Sequence, residues 1–178
     1  MEWMLLPLKR YADFRGRSRR KEFWMWILGV VIVTIVLSWL DRALGLGGQS
    51  SFTRTPPGSA MTGFSAYSSG GILTGIFSLA ILIPNIAVSV RRLHDIDRTG
   101  WWILAPALPY AVGVILLIAG AATGQFGMVT FGGLLSLIGF VLAIVLLVFY
   151  CLPGTRGANR FGPDPLDPHG ANVADVFN

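Results

Sequence analysis

The sequence predicts an all-α, polytopic membrane protein with four transmembrane helices and both termini in the cytoplasm. Three observations carry this. Of 178 residues, 53% are apolar and only 13% charged, against roughly 45–50% and about 25% in soluble domains. The mean hydropathy is +0.64. The charges are also confined to segments separated by long uncharged runs. The excess of basic residues, net +5, does not signal nucleic acid, because no soluble basic face or base-reading motif accompanies it.

Residues 1–22 form a basic interfacial segment. Trp3, Met4, Leu5, Leu6 and Leu8 are apolar anchors, followed by Lys9, Arg10, Arg15, Arg17, Arg19, Arg20 and Lys21. Such a surface attracts anionic lipid and also sets orientation. Ser18-Arg19-Arg20 before an apolar run resembles a twin-arginine export signal. The three spans that follow suit a retained first helix better than a cleaved signal.

The four-helix region covers residues 23–152. The first span, 23–40, is long enough to cross a bilayer, with Trp24, Trp26 and Trp39 at its ends as an aromatic belt. Residues 41–70 are rich in Gly, Ser, Thr and Pro, and lack the alternation that marks strands, so they read as a loop. The second span, 71–90, contains Pro84-Asn85. Proline removes a backbone donor and kinks a helix, while Asn85 suits an interhelical hydrogen bond. The third span, 101–119, carries Pro106 and Pro109, and a small uncharged turn, 120–130, precedes the fourth span, 131–151. In that span Gly132, Gly133, Ser136 and Gly139 give the small-residue spacing that lets helices approach closely. The tail, 153–178, has too much Pro and Gly to be helical.

Orientation follows from the basic residues. Seven lie in the N-terminal segment, three in the central charged island and two in the tail, against two in the 41–70 loop and none in the 120–130 turn. The positive-inside rule places the first three segments in the cytoplasm. The lone Cys151 forms no intramolecular disulfide and says nothing of compartment.

The island, Arg91-Arg92-Leu93-His94-Asp95-Ile96-Asp97-Arg98-Thr99-Gly100-Trp101-Trp102, is the only charged stretch between the first span and the tail apart from Asp41, Arg42 and Arg54. Flanked by uncharged runs, it is expected to be a short loop at the membrane surface. His94 beside Asp95 and Asp97 suggests a proton acceptor, a weak metal site, or part of an anion site completed by Arg91 and Arg92. The structural alternative has Arg91 and Arg92 complementing a helix dipole and touching lipid phosphates, with Asp97 or Thr99 capping the third span. Glu22, or Asp13, is placed to pair with the island's arginines. One histidine and two carboxylates on a short loop do not make a zinc site. No nucleophile motif, phosphate-cradling loop or dinucleotide fingerprint is present, so no catalytic residue, cofactor or metal is assigned. The candidates for binding a partner or lipid are Arg17, Arg20, Glu22, Arg91, Arg92, His94, Asp95, Asp97, Arg98, Trp101, Asn159 and Arg160.

Three stretches together carry a family resemblance. They are Tyr11-Ala12-Asp13-Phe14-Arg15-Gly16-Arg17-Ser18-Arg19-Arg20-Lys21-Glu22-Phe23-Trp24, the island through Trp102, and Pro153-Gly154-Thr155-Arg156-Gly157-Ala158-Asn159-Arg160-Phe161-Gly162-Pro163-Asp164-Pro165. From about Leu8 to Pro165 the chain resembles the YhaH-like bacterial inner-membrane proteins, a domain of unknown function, although its 41–70 loop is longer than usual. The resemblance implies a multi-span inner-membrane protein and transfers no activity or catalytic residue. The expected function is that of a non-catalytic accessory or assembly subunit. It would bind a larger membrane complex, anionic lipid head groups, or itself through its cytoplasmic face. One alternative is a small oligomeric transporter or channel shaped by Pro84, Asn85, Pro106 and Pro109, although no ionisable residue lies deep in a span. Another is a membrane enzyme using His94, Asp95 and Asp97.

Overall fold

The computed structural model describes residues 2–47, 50–53, 65–68 and 71–167. Five α-helices follow in order: α1 (Glu2–Lys9), α2 (Arg20–Ala43), α3 (Ile72–Asp95), α4 (Leu104–Thr123) and α5 (Phe126–Cys151), with a 3-10 turn at Gly100–Ile103 before α4. Four of them, α2, α3, α4 with its 3-10 turn, and α5, are long and apolar enough to cross a membrane. Their outer surfaces are covered with exposed apolar side chains such as Leu79 (73%), Ile118 (66%) and Phe140 (60%), which only a lipid environment tolerates at this density.

The helices outrun the apolar stretches that announce them. α2 begins at Arg20 and ends at Ala43, taking in Lys21, Glu22, Asp41 and Arg42. Charged residues at a span's ends continue the backbone hydrogen-bond ladder while their heads leave the hydrocarbon. α5 starts at Phe126, so the expected 120–130 turn shrinks to Gly124 and Gln125. Gly124 makes that turn possible, ending α4 in the left-handed conformation at φ 66°. The 41–70 loop, expected to lack strands, carries a short antiparallel ladder pairing Ser50–Thr53 with Ser65–Ser68. Serine and threonine on both sides of the ladder conceal it from a hydrophobic-alternation test.

Packing divides the spans into two hairpins. In the first, α2 and α3 enclose the core cluster Phe23, Trp26, Ile81 and Val88, with Tyr150 of α5 packed against it. Trp26 Nε1 donates to Asn85 Oδ1 at 2.6 Å, the interhelical bond expected of Asn85. Pro84 leaves α3 continuous. The carbonyl it orphans is that of Ala80, four residues earlier, and the Tyr11 hydroxyl donates to that carbonyl. The N-terminal segment thereby anchors itself in the one gap in α3's ladder.

In the second hairpin α4 and α5 touch backbone to backbone. A Cβ on Gly113 would fall 2.7 Å from the Gly132 carbonyl, and one on Gly139 would fall 2.8 Å from the Tyr110 nitrogen. Gly133 faces open space, so only part of the predicted small-residue face is used. The two hairpins meet chiefly at one end, where Phe23 packs on Tyr150 at 4.5 Å between ring centroids.

At the opposite end Asp41 caps a helix that is not its own. It is 1% exposed, and its carboxylate accepts from the Leu73 N–H (3.0 Å), the Thr74 N–H (3.0 Å) and the Thr74 hydroxyl (2.7 Å). Those N–H groups belong to the first turn of α3, where no intrahelical acceptor exists.

Candidate functional site

The island is not a loop. Arg91 to Asp95 form the last turn of α3, and only Ile96 to Thr99 separate it from the 3-10 turn. The helix ends in a Schellman motif, in which the Arg98 N–H donates to the Leu93 carbonyl (2.9 Å) and the Asp97 N–H to the His94 carbonyl (3.1 Å). Asp97 takes the left-handed position, at φ 57°, a conformation aspartate tolerates better than most residues. Neither Asp97 nor Thr99 caps the following helix, for Thr99 makes no side-chain cap bond.

The N-terminal segment, the island and the tail converge at this end of the molecule, and their charges are largely spent on one another. Asp95, 4% exposed, is the centre. Its Oδ1 pairs with Arg17 Nε at 3.0 Å and its Oδ2 with Arg92 Nη1 at 2.6 Å. Gly154 lies so close to this carboxylate that any Cβ would overlap it. Arg17 also donates to the Gly157 (2.6 Å) and Thr155 carbonyls of the tail.

The remaining bonds are helix capping supplied from a distance. The last carbonyls of a helix have no intrahelical donor, and near lipid such groups must be satisfied within the protein. At the end of α3, Thr155 N–H donates to the Asp95 carbonyl (2.8 Å), Asn159 Nδ2 to the His94 carbonyl (2.9 Å) and Arg160 Nη2 to the Asp97 carbonyl (2.8 Å). At the end of α5, Arg92 donates to the Tyr150 (3.2 Å) and Leu152 carbonyls and Arg20 to the Cys151 carbonyl (3.3 Å). Arginines at C-terminal turns also complement the helix dipole.

Arg91 differs from the rest. It is 0% exposed, faces Glu22 Oε1 at 3.7 Å, and none of its three guanidinium nitrogens has a hydrogen-bond partner. Glu22 Oε1 and the Ser18 hydroxyl are likewise buried without one. The pairing of Glu22 with an island arginine is thus as expected. Contact of Arg91 and Arg92 with lipid phosphates is not, since both are fully enclosed by protein.

His94, Asp95 and Asp97 do not converge. The His94 ring stacks on Phe161 at 3.9 Å and 4°, with Nδ1 3.3 Å from the Gly16 carbonyl. Asp97 is exposed and pairs with Arg160 Nε at 3.0 Å. Arg98 lies over the rings of Trp102 and Phe149, while Trp101 is 76% exposed. Among the described residues no group of three His, Cys, Asp or Glu side chains is placed to hold a metal.

Asp164 escaped the reading of the sequence. It is 9% exposed, and its two oxygens accept the Leu166 (2.8 Å) and Gly157 (3.0 Å) N–H groups, folding the tail on itself. These bonds, Leu166's first, together with Arg17 and Arg19, hold its carboxyl below the usual aspartate range against the opposing effect of burial. Its position in a Pro-Asp-Pro run was the available signal, since aspartate there commonly bonds backbone two residues on. Beside it, between the start of α2 and the tail, opens a cleft of about 500 Å³ whose wall includes Arg19, Arg20, Lys21 and Arg156.

Four apolar helices joined by a charged, self-capped end define an integral membrane protein. A family model described as "Protein of unknown function (DUF805)" matches residues 11–163, and the chain belongs to that family. It is 38% identical over 172 residues to inner membrane protein YhaH of Escherichia coli (strain K12), covering 94% of this chain and 100% of that one. It is 32% identical to inner membrane protein YhaI of the same organism, over 93% of this chain and 96% of the relative. A protein named YiiR is 26% identical over 87% of each chain. No solved structure matches. With these relatives and four candidate spans, the chain is a multi-pass inner-membrane protein.

Proposed function

We propose that this chain is a non-catalytic accessory or assembly subunit whose charged end lies in the cytoplasm and docks a membrane protein complex and anionic lipid. The observation that carries this reading is the use made of the motif residues. Arg17, Arg92, Asp95 and Asn159 join the three segments to one another. They build one preorganised surface, rimmed by exposed cations such as Lys21 and Arg156. A fixed polar surface carrying unpaired charge steers and orients a partner.

Gentle extraction of the tagged full-length chain from native membranes, followed by identification of what co-purifies, tests the accessory role. A stoichiometric complex supports it; recovery of the chain alone or as a homo-oligomer counts against it. Sidedness is tested at Cys151, the chain's one cysteine, which is exposed at the charged end. A membrane-impermeant thiol reagent is expected to label it in inside-out vesicles and not in intact spheroplasts, and the reverse pattern overturns the orientation.

A further inference from the structure

We infer that the cleft between the start of α2 and the tail seats the phosphate head group of one anionic phospholipid, with an acyl chain lying along Trp24, Met25 and Cys151. This rests on the reading that the charged end contacts lipid, and adds where, how many and of what kind. The cleft's wall carries five basic residues against Asp95 and Asp164. Arg17 is paired with Asp95 and Arg20 donates to the Cys151 carbonyl, which leaves Lys21 and Arg156 facing a single carboxylate. That carboxylate already accepts two backbone N–H groups.

Lys21 and Arg156 are exposed and, unlike Arg17 and Arg92, take part in no capping bond or ion pair among the described residues. Their charge is available to a ligand. The volume of about 500 Å³ lies within the roughly 300–1,000 Å³ of small-molecule sites.

The second half of the argument is continuity. Arg20 and Lys21 also border a shallow groove of about 440 Å³ floored by Trp24, Met25 and Cys151. A cationic cleft and an apolar groove therefore share one edge, where α2 begins and α5 ends. That is the level at which head group gives way to hydrocarbon. A soluble phosphate would use only the cleft, whereas a phospholipid fills both. The stem of Lys21 covers apolar surface while its head reaches the phosphate.

The test is a native mass-spectrometric titration of the intact chain in neutral detergent with phosphatidylglycerol, phosphatidylcholine and glycerol phosphate. One phosphatidylglycerol per protomer is expected, with phosphatidylcholine and glycerol phosphate binding far more weakly. Each cation near the surface contributes about five-fold, so Lys21→Ala/Arg156→Ala is expected to weaken the lipid about 25-fold. Lys9→Ala/Arg15→Ala removes the same charge outside the cleft and is expected to change little. Equal weakening by both pairs, equal binding of phosphatidylcholine, or glycerol phosphate binding as tightly as the lipid would each overturn the proposal. An unaltered melting temperature in the cleft variant shows that the fold is intact. Failure of the accessory reading leaves this titration unaffected, because no partner complex is present in it.

Discussion

Asp95→Asn removes one charge and almost no volume from the centre of the capped end. In the native protein that carboxylate faces two buried arginines, at 3.0 and 2.6 Å. Removing one partner of a buried ion pair costs about 3–5 kcal/mol, because a charge is left uncompensated. Here Arg17 keeps the Thr155 and Gly157 carbonyls and Arg92 keeps those of Tyr150 and Leu152, which favours the lower bound of about 3 kcal/mol. At this chain length 1 kcal/mol moves the melting temperature by roughly 2–4 °C, so the expected loss is about 6–12 °C. Asp97→Asn is the internal control. Its pair with Arg160 is about half exposed on both sides, such pairs contribute at most about 1 kcal/mol, and the expected loss is under about 4 °C. Thermal unfolding in detergent, followed by the fluorescence of the six tryptophans, reads both. Equal shifts for the two variants would refute the view that Asp95 is the electrostatic keystone and Asp97 a surface pair.

Four further outcomes follow from the same geometry. Arg91→Met or Glu22→Gln alone is expected to destabilise by about 3–5 kcal/mol, while Arg91→Met/Glu22→Met is neutral or more stable, because an ion pair without hydrogen bonds recovers little of its desolvation cost; thermal unfolding of the three variants decides. Tyr11→Phe loses a bond of about 1 kcal/mol, and a double-mutant cycle with Pro84→Ala should show coupling, since alanine restores the donor for the Ala80 carbonyl. Gly113→Ala is expected to lose about 1–3 kcal/mol by overpacking and Gly133→Ala nothing, read as the difference in melting temperature. Asp164 has a depressed carboxyl, so its contribution is present above the ordinary aspartate value and is lost as pH falls through the lowered one. Protease cleavage of the tail should therefore rise below about pH 3.8, and Asp164→Asn should cleave readily at every pH.

What the sequence concealed has one physical cause. Number and type of span are legible because lipid demands about 20 apolar residues per crossing, and that demand acts on each stretch independently. Orientation of a helix face is not legible in α4 or α5, where almost every residue is apolar and periodicity carries no information. The site was half legible. Its three stretches are marked by composition, and the pairing of Glu22 with an island arginine and an interhelical bond from Asn85 were legible too. Trp26, which reads as part of an aromatic belt, was not visible as the partner of Asn85. The capping bonds were not visible, because their partners lie far apart in sequence: Arg17 reaches Gly157, and Arg92 reaches Tyr150 and Leu152. Asp41 shows the same thing across the 41–70 loop. Charge at the end of an apolar run reads as a boundary, whereas here it continues the helix and closes a neighbour's.

Accounting for backbone groups would have recovered part of this. Pro84 announces an orphaned carbonyl at Ala80, and a chain in lipid must supply it a donor; Tyr11 was a free hydroxyl in the segment that returns to α3. Applied to the ends of α3 and α5, the same accounting demands donors from the N-terminal stretch and the tail. Their Arg, Thr and Asn residues are the donors found there. Once those bonds are assigned, the residues of the cleft and groove with no capping bond or ion pair among the described residues include Lys21 and Arg156, beside the exposed Trp24. Lys21 and Arg156 hold no other element in place, and with Trp24 they border the cleft and the groove. A residue spent on capping reports how the chain folds, and only the unspent ones are available to a ligand. On that distinction the proposed lipid site lies at the start of α2 and not at Arg91 and Arg92.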